Sequence, residues 1–138
     1  MFAMLRSSCL TLVVLAALPA LALAQEPTAA TPADGHTIHV TAPHIMGDHL
    51  IDPMHHYCKV ISPEPVIQCL MFASTAPDAR LMGIEYIAAK SITRREIPLG
   101  QWNTLWHDHA VEIEAGVVAL PDMPEDEATE VANVVAGT

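Results

Sequence analysis

Two cysteines, Cys58 in HHYC and Cys69 in VIQC, stand eleven residues apart, and two histidines bracket an acid in WHDH, His107 to His109. Thiolates and neutral imidazoles are donors that divalent zinc favours, whereas a pair of thiols in an oxidising compartment can close a disulfide instead. On an extended segment the i, i+2 spacing of His107 and His109 presents two imidazoles to one ion. Glu85, inside the apolar run ARLMGIEYIAA, offers a carboxylate as a third donor. His55 and His56 are adjacent, so on a strand they face opposite ways and one of them, His56, joins the set. The candidate metal ligands are therefore His56, Cys58, Cys69, Glu85, His107 and His109, and the ion is zinc or manganese. Three ligands with an open position would imply catalysis, and a closed set of four a structural role.

Each of these residues also has a plainer reading. Cys58 and Cys69 can be a disulfide, buried free thiols or thiolate ligands, and the sequence leaves all three open. Glu85 can be a core carboxylate bonded to a histidine or an indole N–H, since burying it unpaired is costly. All eight histidines lie between His36 and His109. His36, His39, His44 and His49 sit in a poorly patterned stretch, where surface exposure is the default. Met71, Phe72, Met82, Trp102 and Trp106 would line a pocket for an apolar ligand, although at such spacings these residue types also build cores. No Ser-His-Asp signature, glycine-rich phosphate loop or nucleophile elbow is present. These residues point to a binding or structural module, with a metal-dependent enzyme or an apolar-ligand or envelope-lipid binder as alternatives.

The elements that must position these side chains are short. HHYCKVI and VIQCLMF are β-compatible runs separated by SPEP, whose prolines favour a turn. With Pro63 and Glu64 as the loop, residues whose numbers sum to 127 pair, and Cys58 faces Cys69. ARLMGIEYIAA reads as another strand, with Gly83 marking a bulge or a close backbone approach. In QWNTLW, Trp102, Leu105 and Trp106 share one helical face. HAVEIE alternates, with Val111 and Ile113 opposite Glu112 and Glu114. PEDEATEVANVVAG has Pro124 at its start, acids in the first turn, Gly137 as a stop, and a stripe of Ala128, Val131, Val134 and Val135. The expected architecture is α+β, a small antiparallel sheet covered by one or two helices in one domain over residues 39–138.

The compartment decides which cysteine chemistry is open. Residues 1–24, MFAMLRSSCLTLVVLAALPALALA, carry Arg6, an apolar run and the small-x-small site Ala22-Leu23-Ala24, the pattern of a secretory signal peptide. The run is too short for a comfortable bilayer span, so the mature form is expected to lack a transmembrane segment and to be periplasmic or secreted. Residues 25–38 read as a flexible linker. Without Arg6 the mature chain has five basic and sixteen acidic side chains, a net charge of −11. That balance offers no footprint for nucleic acid. A small ligand or a metal is the expected partner.

The series HHYC, QC at 68–69, ARLMGIEYI, LWHDH, Glu112 to Gly116 and the PE at 124–125 resembles the oil body-associated protein family, from about His44 to the end of the chain. The resemblance implies little about activity, because that family has no established reaction. Plant members are associated with seed lipid bodies, an association that transfers poorly to an exported protein. Intracellular members carry cysteines at the positions matching Cys58 and Cys69, which favours a thiol or metal role for the pair. In relatives the segment matching VVAGT runs on into an aromatic, polar strand of YGKTW type, so the domain is expected either to lack that strand or to be incomplete.

Overall fold

The computed structural model describes Thr31 and residues 33–138; the segment read as a signal peptide lies outside them. Four antiparallel strands, β1 (Ile38–Met46), β2 (His49–Ser62), β3 (Val66–Phe72) and β4 (Leu81–Ala88), form one sheet in the order β1-β2-β3-β4. Four helices follow, α1 (Lys90–Glu96), α2 (Leu99–Leu105), α3 (His109–Glu114) and α4 (Glu125–Val135), where one or two were expected. Among the described residues no helix is long and apolar enough to cross a membrane.

The β2–β3 hairpin has the expected register over most of its length, with Cys58 opposite Cys69, but the turn differs by one residue. Ser62 pairs with Val66, so Pro63, Glu64 and Pro65 make a three-residue loop and the register shifts beside it. Between β3 and β4 the shift falls between Met71 opposite Gly83 and Phe72 opposite Leu81, which leaves Met82 as the extra residue next to the glycine singled out in the sequence. Strand β1 was not legible as one. It pairs with β2 in full, with one irregularity between Ala42 and His44 where Pro43 and Pro53 remove ladder donors.

One face of the sheet carries Val40, His56, Cys58, Cys69, Met71, Glu85 and Ile87, and its core is the cluster of Cys58, Ile67, Cys69 and Ile87 with Ile38 and Val40 packed on it. The opposite face is half open: Ile84 and Tyr86 are exposed, and Tyr57 stacks on His39 at 4.7 Å. His39 is buried rather than exposed; its Nδ1 lies 2.7 Å from Asp122 and its Nε2 3.0 Å from His55 Nδ1.

HAVEIE is a helix, not the alternating segment its pattern suggested. The Asp108 side chain accepts from the Ala110 N–H at 2.9 Å and caps α3, and a capped N-terminus outweighs a two-residue alternation only six residues long. The chain leaves α1 through Ile97, which is extended because Pro98 follows it. In α4 the acids Glu125, Asp126 and Glu127 occupy the first turn as expected, but Val134 is half exposed and Val135 alone of the stripe is fully buried. Lys90 joins three helices: its ammonium reaches Asp108 at 2.7 Å and donates to Ala136 O at 2.9 Å, at the negative end of the α4 dipole.

Candidate metal centre

Glu85 is the hub. Strand β4 places its carboxylate on the covered face of the sheet, where Oε2 stands 3.4 Å from His56 Nε2 and Oε1 3.8 Å from His109 Nε2. Two triads meet on it, His44, His56 and Glu85 on one side and Glu85, His107 and His109 on the other, each with donor atoms within 4.8 Å of one another. His56 comes from β2, His44 from β1, and His107 and His109 from the turn into α3, where their rings lie 4.6 Å apart. Glu112, one helical turn beyond His109, sits 3.6 Å from His107 Nε2.

These separations exceed hydrogen-bond distances, which centre near about 2.9 Å. They suit a shared cation instead. Two donors held at about 2.0–2.1 Å from a tetrahedral ion stand roughly 3.3 Å apart. The two ring nitrogens of His109 face different partners: Nδ1 lies 3.1 Å from the Thr138 hydroxyl, which donates to Val135 O, and Nε2 faces the Glu85 carboxylate. On the other side His56 is buried, and its Nδ1 has no hydrogen-bond partner among the described residues.

The electrostatics divide the cluster, favouring the ligand form at His56 and Glu85 and the protonated form at His107. Burial outweighs the neighbouring Glu85 charge and holds the His56 imidazole below its ordinary range. Burial pushes the Glu85 carboxyl up, but His109, His56 and His44 around it prevail and hold it ionised below its usual range. His107 is raised by Glu112 beside it, and Glu112 is lowered by His107 in turn. The cluster lies between a small inner cavity of about 30 Å³, bounded by Val40, Cys58, Ile87 and Val135, and an outer cleft of about 450 Å³ walled by Met46, Met71, Tyr86, Leu105 and Trp106.

Of the residues singled out in the sequence, His56, Glu85, His107 and His109 come together. Cys58 and Cys69 do not join them: their sulfurs lie 2.03 Å apart in a disulfide, which removes both thiolates from the donor set. His107 and His109 converge through a turn into a helix rather than along an extended segment. His44 and Glu112 were missed. Read helically, His109 and Glu112 are i, i+3 neighbours, and that spacing was the available signal. The five apolar residues do not share a pocket. Met71 and Trp106 wall the outer cleft, Phe72 lies on the other face near Tyr57, and Met82 is the bulge residue. Trp102 is core: its indole donates to Thr93 Oγ1 at 3.2 Å and Arg94 lies over its ring at 3.5 Å.

A four-stranded antiparallel sheet with helices holding a histidine–glutamate cluster against one face defines a small α+β domain whose histidine and glutamate groups could hold a metal ion. The chain belongs to the family described as Protein of unknown function (DUF1264), whose model matches residues 30–137. It is similar to Oil body-associated protein 1A of Zea mays, 37% identical over 70 residues, 51% of this chain and 28% of that protein. Oil body-associated protein 2C of Arabidopsis thaliana is 38% identical over 71 residues, 51% of this chain and 29% of that protein. Oil body-associated protein 1B of Arabidopsis thaliana is 31% identical over 88 residues, 62% and 35% respectively. The chain thus spans about a third or less of the length of these relatives. No solved structure matches it.

Proposed function

We propose that this domain is a binding module for a divalent metal, zinc or manganese, held at Glu85 with His44 and His56 on one side or His107 and His109 on the other. The observation that carries this reading is Glu85, whose two oxygens face histidines from separate elements at 3.4 and 3.8 Å, too far for hydrogen bonds and near the spacing of ligands around one cation. Export to an oxidising compartment goes with it. The disulfide is compatible with such a compartment, and the leader read at residues 1–24 would direct the chain there.

The test is equilibrium dialysis of untagged, chelator-treated protein against zinc and against manganese. The parent binds stoichiometrically, Glu85→Ala lowers the affinity by at least about tenfold, and His36→Ala and His49→Ala, outside the cluster, bind like the parent. A parent that binds neither metal ends the reading. A second reading, an apolar-ligand module, is favoured by the outer cleft with Met46, Met71, Leu105 and Trp106 on its walls. The name of the plant relatives suits it, and a fluorescent fatty acid displaced from the cleft by Trp106→Asp would support it.

A further inference from the structure

We propose that the centre holds two divalent ions, with Glu85 as the carboxylate that bridges them. This rests on the metal reading above. The inner ion is held by His44, His56 and Glu85 Oε2, the outer ion by His107, His109 and Glu85 Oε1.

Donors around a single ion, each at about 2.0–2.2 Å, stand no more than roughly 4.4 Å apart. Each triad comes close to that limit, with its atoms within 4.8 Å of one another, whereas the four imidazoles and Glu85 do not form one such set. A single ion could engage all five only if the strands and the α3 turn moved together. Glu85 already divides its oxygens between the pairs, Oε2 toward His56 and Oε1 toward His109. A carboxylate so placed spans the roughly 3.5–4 Å between the metals of two-metal sites.

The two positions differ in surroundings. His56 is 4% exposed and the inner ion would be sequestered, while His107 is half exposed and has Glu112 at 3.6 Å as a further donor. The outer triad lines the outer cleft through Glu85, His107 and His109, so the open coordination position of the outer ion faces a space wide enough for water or an oxygen-donor ligand.

The experiment is native mass spectrometry of the chelator-treated chain titrated with zinc, paired with electron paramagnetic resonance of the manganese-loaded protein. The parent takes up two zinc ions, His44→Ala and His107→Ala take up one each, and the parent's manganese spectrum shows exchange coupling that both variants lose. His107 is at the surface, so its variant keeps the fold, and thermal melting of the metal-free variants verifies this for both. A parent saturating at one zinc overturns the two-ion inference and leaves the metal reading standing. Uptake of none overturns both. Two ions retained in either variant would overturn the assignment of ligands.

Discussion

Glu85 stands directly opposite Cys69 in the β3–β4 ladder, and Cys69 stands opposite Cys58 in the next. The cross-link and the hub carboxylate therefore share one row of the sheet. The disulfide ties β2 to β3 beside the strand that carries Glu85, so cysteine chemistry reaches the histidine–glutamate cluster only through backbone position.

Protein recovered from an oxidising compartment is expected to show no free thiol at Cys58 or Cys69 when denatured without reductant. Closing an eleven-residue separation stabilises the fold by up to about 3 kcal/mol. A Cys58→Ser, Cys69→Ser double variant should unfold at correspondingly lower denaturant and still bind zinc. Loss of zinc binding in a folded double variant would make the sulfurs ligands after all.

The metal-free protein should lose stability in acid in two stages. His56 has a folded pKa below its unfolded value, so its contribution is complete above about 6.5 and is lost as pH falls toward the folded value. Glu85 and Glu112, also lowered, contribute above about 4.5 and lose that contribution below it. His107, raised by Glu112, works oppositely: its contribution is full below about 6.5 and fades as pH rises through its folded value. Melting temperature against pH, compared with a His56→Leu variant, checks the first stage, which should vanish in the variant.

Trp102 is a core residue whose loss should be felt as stability rather than ligand affinity. Trp102→Ala should destabilise by about 3–5 kcal/mol and Trp102→Phe by about 1–2 kcal/mol, the latter because the Thr93 hydroxyl loses its donor. Denaturant unfolding measures both. A Trp102→Phe variant of full stability that fails to bind a hydrophobic probe would return Trp102 to the cleft wall.

Asp108 touches no candidate ligand, yet it caps the helix that begins at His109 and receives Lys90. Asp108→Ala should lower the melting temperature modestly and weaken zinc binding several-fold by loosening the turn that aims His107 and His109. Asp108→Asn, which can still cap, should recover most of the affinity. Equal affinity in all three proteins would mean that the turn is held by other contacts.

The hairpin was legible because its turn chemistry and its two apolar runs agreed, and the opposition of Cys58 and Cys69 followed from counting. Strand β1 was not, since His39, His44 and Pro43 interrupt the apolar pattern, and His39 is buried for a reason that only its partner reveals. His39 is satisfied by Asp122, far along the chain, while the His44 ring stands edge-on to that of His56 at 5.6 Å. The α3 segment misled because six residues carry too few positions to separate a period of two from one of 3.6. Glu85 was recognisable as an acid in an apolar strand, a placement that demands partners.

Thr41 and Ala119 exchange two backbone hydrogen bonds of 2.8 Å, an isolated bridge on the outer side of β1. An unpaired strand edge is a template for adding a strand from another molecule. Here one edge of the sheet is stoppered midway by the chain's own later segment, while β4, with Leu81, Ile84 and Tyr86 exposed along it, forms the other. Among the described residues, strand addition from another molecule therefore has a polarity: it would proceed through β4, and a proline or lysine placed on that strand would be the economical way to block it.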